Sequence, residues 1–285
     1  GEFAATQLSF SQLPLELERI AAAEILVPKA EDVPVWAETG SDGLSRRITA
    51  YDPKVFQFDE ARRALLSHYG IMTLESLGCE SMPLAVQAAG AIVEYLAATQ
   101  KTGKLQLANL AVYSTKTFMA LDSQTRRNLE LFQGGRSESK QFSLLGTLDY
   151  TKTPMGGRLL RQWLGQPLLD LQELEQRLDA VTHFFDDGFR RADATSTLAR
   201  IPDLERIQSR VNAGVVLPRE LKALQEGLEA LPRLAKVLAA GEGDPSGADG
   251  PTGAAGPLAW LARELSPLPE VVALFRRAIA PHPPG

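Results

Sequence analysis

Four aspartates near the start of the chain, Asp32, Asp42, Asp52 and Asp59, are numerous enough to converge on divalent metals, as metal-assisted phosphodiester cleavage requires. All four lie in or beside turns, where Asp is favoured because its side chain bonds the local backbone, so they need no metal to explain them. His68, His183 and His282 are scattered, with no cysteine or carboxylate at ligand spacing, and none is assigned a role. The glycine pairs 134–135 and 156–157 are not followed by Gly-Lys-Ser/Thr, so neither forms a phosphate-cradling loop. Arginine pairs at 46–47, 62–63, 126–127, 190–191 and 276–277 read as solvated helix faces with acids nearby. At Arg126-Arg127-Asn128 an interdomain salt bridge is expected in preference to a phosphate contact. No catalytic, cofactor-binding or metal-binding residue emerges from these patterns.

The elements that position these groups change character along the chain. Phe3–Ser9 is strand-like, and a helix is expected from Ser11, with Leu15, Leu17, Ile20 and Ala21 available for burial. Ala23–Pro28 reads as a buried strand ended by proline. Residues 29–57 are less regular, and Tyr51-Asp52-Pro53 marks a turn. A helix over Phe58–Tyr69 has Asp59 at its start and Gly70 as its C-cap. A longer one over Met82–Thr99 carries Leu84, Ala88, Ile92, Tyr95 and Leu96 on one face. A strand follows at Leu105–Tyr113. This alternation predicts a small α/β unit over residues 1–112. Beyond it the pattern is almost wholly helical, and residues 113–285 form the second expected domain. Stripes at Leu171, Leu174, Leu178, Val181 and Phe185, at Leu204, Ile207 and Val211, and at Leu221, Leu224, Leu228, Leu231 and Leu238 are expected to bury against partner helices. Residues 241–256 hold six glycines and no large apolar side chain, and read as a flexible loop before a last helical region at 257–280.

With 285 residues, two compact domains fit. No apolar run approaches the ~18 residues that would cross a membrane. A net charge of −5 gives no global pull toward nucleic acid, so any DNA contact must come from local arginines. Cys79 is the only cysteine, which excludes an internal disulfide and fits a reducing cytoplasm, and no signal-peptide pattern opens the chain. Gly1-Glu2-Phe3 and the Pro-rich end are expected to lie inside something longer.

The most informative stretch is 147–170, which reads as a loop, a short helix, a sharp stop and the start of another helix. Thr153 is placed to cap the first helix and Pro154 to occupy its first position. Met155, Leu159, Leu160, Trp163 and Leu164 make one wide apolar face, with Arg158, Arg161 and Gln162 opposite. Gly165 and Pro167 end the helix, and Asp170 with Glu173 begins the next. Leu148-Asp149, Thr153-Pro154-Met155-Gly156, Arg158-Leu159-Leu160, Trp163-Leu164 and Gln166-Pro167-Leu168 resemble the core domain of the MutS family of DNA mismatch repair proteins. Met119–Glu130, with Asp122, Thr125, Arg126, Asn128, Leu129 and Glu130, resembles the family's entry into that core. Ala278-Ile279-Ala280-Pro281-His282-Pro283-Pro284 resembles its Ala-Ile-x-x-x-Pro-Pro pattern. The glycine-rich segment 241–256 is not required by the family.

That resemblance implies an α+β multidomain fragment: a partial, ribonuclease-H-like α/β connector that is not a nuclease (1–112), then part of a mainly α-helical core or lever (113–285). It implies a relay that couples mismatch recognition on DNA to a C-terminal ATPase, with reader and ATPase both outside this chain and the motif residues serving structure and relay. The fragment itself would be no enzyme and hold no cofactor. The parent would be a DNA-dependent ATPase using ATP and Mg²⁺, a homodimer on mispaired double-stranded DNA, meeting a MutL-type partner in a bacterial, nucleoid-associated cytoplasmic setting. Other readings are a stand-alone helical scaffold or adaptor, a paralogue acting in recombination or on stalled-translation substrates, and, last, a nuclease using Asp52 or Asp59.

Overall fold

The computed structural model describes residues 3–20, 22–29, 47–99, 107, 109–135, 139–240 and 258–280. They are mostly helical with a few three-residue strands. The chain divides into two compact units, Gly1–Glu130 and Leu131–Gly285.

In the first unit β1 (Phe3–Ala5) and α1 (Leu13–Ile20) are followed by β2 (Ile25–Val27), β3 (Ile48–Ala50), α2 (Phe58–Tyr69), α3 (Pro83–Thr99), β4 (Leu110–Val112) and α4 (Ser123–Asn128). The strands form two parallel pairs: β1 with β4, Phe3 opposite Leu110, and β2 with β3, Ile25 opposite Ile48. Parallel partners cannot be joined by a tight hairpin, and the connection from β1 to β4 runs through α2 and α3. Asp59 and Glu60 place negative charge in the first turn of α2, where the helix dipole favours it, and Gly70 ends the helix in the left-handed conformation (φ 65°).

The core of this unit forms where α2 meets α3. Ala85, Val86, Ala89, Gly90 and Val93 of α3 point inward, beside Ala61, Ala64 and Leu65 of α2. A β-carbon on Gly90 would collide with the backbone of Ala61, so the two helices meet at a distance only small residues permit. The face expected to be buried, Leu84, Ala88 and Ile92, is therefore the exposed one, with Tyr95 and Leu96 half-buried. Size at the contact decided the orientation, and the largest apolar residues lost. Phe3, Leu74, Cys79 and Leu110 complete the core. In α1 the expectation also turns over. Leu15 and Ile20 are exposed, Leu17 is half-buried, and Glu16 is the buried residue; Ala21 lies outside the described residues.

The second unit contains α5 (Leu144–Leu148), α6 (Pro154–Gly165), α7 (Leu171–Asp186), α8 (Gly188–Leu198), α9 (Leu204–Asn212), α10 (Pro218–Ala239), α11 (Ala259–Glu264) and α12 (Pro269–Ala278). The long α10 is its axis, touching α8, α9, α11 and α12. Its Leu228, Leu231 and Leu234 pack with Ile201 and Val272, and Met155, Leu204 and Phe275 close the edges. The stripe on α7 departs from expectation: Leu171, Leu178, Val181 and Phe185 are exposed, Phe185 by 78%. Periodicity shows that these residues share a face. It does not supply a neighbour, and the face α7 buries instead carries His183. In α9, Ile207 is buried as expected, whereas Val211 is exposed. Segment 241–256 and residues 281–284 lie outside the described residues.

Gly90→Val should lower stability by about 1–3 kcal/mol through overpacking against Ala61. Leu84→Ala, on the exposed face, should change it by no more than about 0.5 kcal/mol, both read from denaturant unfolding midpoints.

Candidate functional site

Local chemistry builds the corner at 144–170 much as its residue types dictate. Ser143, almost fully buried, caps α5 by accepting the Gly146 N–H at 3.0 Å. A β-carbon on Gly146 would strike the Lys140 carbonyl, so the chain turns there without a side chain. Leu148 ends α5, and Asp149 stops the chain between the Thr151 hydroxyl, which donates at 2.7 Å, and Lys140 Nζ at 3.2 Å. Thr153 accepts the Gly156 N–H at 3.0 Å and Pro154 takes the first position of α6. Gln166 caps α6 after Gly165, and Asp170 accepts the Glu173 N–H at 3.0 Å to start α7.

Around this corner the motif residues separate by role. Arg158 holds Asp203 with two hydrogen bonds, 2.9 and 2.7 Å, and Glu205 with two more, 3.0 and 2.5 Å, tying α6 to the start of α9. Paired arginine–carboxylate geometry of this kind is worth more than a single surface contact. Asp203 is held below its ordinary value, first by Arg158 and also by the Arg206 N–H it caps. Met155 packs against the core around α10, and Leu168 is buried. Leu160 and Leu164 are half-buried. Leu159 and Trp163 instead line an open groove of 1140 Å³ with Val181, Phe185, Trp260 and Leu261. Arg177 lies over the Trp163 ring at 3.7 Å, and Arg161 over Phe132 at 4.3 Å.

The entry motif sits apart, in the first unit. Asp122 caps α4 by accepting the Thr125 N–H at 2.6 Å; Gln124 donates to Asn128 at 2.8 Å; Leu129 is exposed, and Glu130 turns with φ 48°. Beside α4 lies a polar cluster that residue patterns did not reveal. Arg19 grips the Glu16 carboxylate through Nε at 2.9 Å and Nη2 at 2.6 Å, and the Tyr113 hydroxyl donates to the same carboxylate at 2.5 Å. Burial pushes Glu16 up, but Arg19, Tyr113 and the charge of Arg126 outweigh it and hold the carboxyl below its ordinary value. Burial and Glu16 push the Tyr113 hydroxyl up to about 12. Arg126 enters this cluster without an ion pair among the described residues, and its Nε is buried with no hydrogen-bond partner among them. Among the described residues no salt bridge of Arg126 is formed, and the Glu16 carboxylate beside it is held by Arg19. Burial and the repulsion of Arg19 lower its pKa. A sequence signal existed only in hindsight: Glu16 and Arg19 stand three apart on one helix face.

The remaining candidates resolve into structural roles. Asp52 caps the 3-10 turn Pro53–Phe56 and Asp59 lies in the first turn of α2; Asp32 and Asp42 lie outside the described residues. Among the described residues no three His, Cys, Asp or Glu side chains are grouped closely enough to hold a metal. His183 is buried, with Arg190 Nη1 2.8 Å from its Nε2, His68 packs edge-on to Tyr69, and His282 lies outside the described residues. Cys79 is fully buried, and burial pushes its thiol up. At the two glycine pairs the described backbone N–H groups are used locally. Thr153 already takes the Gly156 N–H, and Gly134 is bridged to Ser139. No helix among the described residues is long and apolar enough to cross a membrane.

The chain is thus two successive units, a mixed α/β one over Gly1–Glu130 and a helical one over Leu131–Gly285. Residues 1–111 match MutS domain II and residues 124–284 match MutS domain III. The DNA mismatch repair protein MutS of Dehalococcoides mccartyi strain CBDB1 is 39% identical over 287 residues, covering 100% of this chain and 31% of that protein. The MutS proteins of Thermosynechococcus vestitus and Synechococcus elongatus are 41% and 42% identical, covering 84% and 79% of this chain and 28% and 27% of their own lengths. The chain belongs to the MutS family and carries its connector and core domains. It spans about a third of the length of the curated relatives it matches.

Because the folded Glu16 carboxyl lies below its ordinary value, its ionised form stabilises the fold. That contribution is complete above the ordinary carboxylate value and is lost as pH falls through the folded one. Glu16→Gln should therefore flatten the acid limb of stability against pH, measured by circular dichroism in denaturant from about pH 7 to about pH 3.

Proposed function

We propose that this chain is the relay of a mismatch-repair ATPase: it couples mispair recognition on DNA to ATP turnover, with the reader and the ATPase in other parts of the parent. The observation that carries this reading is the match of residues 1–111 and 124–284 to MutS domains II and III in that order, in a chain with no phosphate loop of its own. In this reading residues 1–112 are a ribonuclease-H-like connector without nuclease chemistry, and 113–285 are part of the core. The motif residues from Asp122 to Glu130 and from Leu148 to Leu168 fix the angles at which helices enter and leave. Arg158 is the clearest positioning residue, since it ties α6 to α9. The parent is a homodimer on mispaired double-stranded DNA, uses ATP and Mg²⁺, meets a MutL-type partner and works in the bacterial cytoplasm beside the nucleoid. Coupling of this kind needs elements with two arrangements that both distant sites bias.

The test uses the full-length parent and this chain side by side. The chain alone should hydrolyse no ATP and cleave no DNA with Mg²⁺. In the parent, Arg158→Ala should reduce mispair-dependent modulation of ATP turnover about fivefold or more while leaving the DNA-free rate unchanged. ATP hydrolysis by the chain alone, or an equal loss in both rates, would overturn the relay.

A further inference from the structure

The cluster beside α4 contains one buried carboxylate and two arginines. Glu16 is 8% exposed and accepts hydrogen bonds from Arg19 Nε and Nη2 and from the Tyr113 hydroxyl. Its Oε1 receives Arg19 Nη2 and Tyr113, whereas Oε2 receives Arg19 Nε alone, so one lone pair stays open. Arg126 feels the attraction of Glu16, Glu18 and Asp122 and the repulsion of Arg19. Its buried Nε has no partner among the described residues. Leaving such a donor unpaired costs the full desolvation of the group, so Arg126 stands in the less satisfied of two arrangements. Asp122 is already engaged in capping α4 and Glu18 is only half-buried, which leaves Glu16 as the buried acceptor.

We propose that Glu16 is a shared counter-ion, held by Arg19 of its own helix in this structure and open to capture by Arg126, so that α4 is released from α1 in one arrangement and latched to it in the other. Tyr113 stays on the carboxylate in both and keeps it aimed. The exchange keeps the number of ion pairs constant: Arg19 releases Oε2, and Arg126 Nε donates to it. Arg19 retains a weaker contact with the Tyr113 oxygen, which its Nη2 already approaches at 3.4 Å. Two packings that differ only in which arginine is paired lie close in free energy, the property a switching element requires. The latch sits where the domain II match ends and the domain III match begins, since α1 belongs to the first and α4 to the second. Its use in signalling rests on the relay reading; its existence does not.

The test is a cycle of Arg19→Met, Arg126→Met and the double variant in this chain, each with Glu16 retained and each combined with Glu16→Gln, read by denaturant midpoint. With Glu16 present the double variant should lose more than the sum of the singles, because each arginine covers for the other. In the Glu16→Gln background that excess should vanish. Additive losses, or an excess that survives Glu16→Gln, would overturn the latch. Arg19→Lys guards against loss of fold: it keeps the charge but weakens the two-point grip, and should slow exchange of the Arg126 Nε proton with solvent about tenfold, as a new charged hydrogen bond requires. Unchanged exchange in a folded Arg19→Lys chain would also overturn it. Failure of mispair–ATP coupling in the parent with the exchange intact would count against the relay alone.

Discussion

A carboxylate taken out of water must be paired, and in the first unit that requirement falls on Glu16. Its partners come from separate parts of the chain. Arg19 is one turn along α1, and Tyr113 follows β4 almost a hundred residues later. Meeting at one side chain, they fix where β4 ends relative to α1, and so where the segment toward α4 begins. Arg126 then arrives at a site whose charge is nearly spent. The geometry of the whole entry motif follows from that shortage: Asp122 caps, Thr125 donates, and Arg126 waits beside a carboxylate already engaged.

How much of this was legible in the sequence depends on the range of the forces involved. Helix starts and stops were legible, because the groups that satisfy a helix end lie within three residues of it. Asp122, Thr153 and Asp170 all cap as their types imply, and Gly70 ends α2. The direction a helix faces was less legible. On α3 the larger side chains, Leu84 and Ile92, suggested one face, but backbone approach at Gly90 selected the other. The pairing of β2 with β3 went unseen because residues 48–50 carry little pattern of their own. Glu16 was missed because Tyr113, which meets it in the buried cluster, is remote in sequence, and nothing local marks a glutamate as the one that will be buried.

The helical unit separates two uses of apolar surface. On α10 the leucine stripe is satisfied inside the unit, by Ile201 and Val272. On α7 a stripe with the same spacing stays open, and with Leu159, Trp163 and Trp260 it forms the walls of a groove. The corner motif stands between the two. Met155 belongs to the core and Leu159 and Trp163 to the groove, although all three lie on one face of α6. Arg158, on the far side of the same helix, reaches α9. A twelve-residue helix thus carries three different obligations.

The bond between Tyr113 and Glu16 also gives the protein an optical label of its own. Phenolate absorbs at longer wavelength than phenol, and a tyrosine held at about 12 ionises after an unperturbed one has already done so. Tyr69 and Tyr95 are pushed up as well, so the late rise in ultraviolet absorbance on alkaline titration includes the group that keeps Glu16 aimed. Loosening of the cluster, whether by a substitution or by a bound partner, would show as an earlier rise, with no dye attached and no other residue changed.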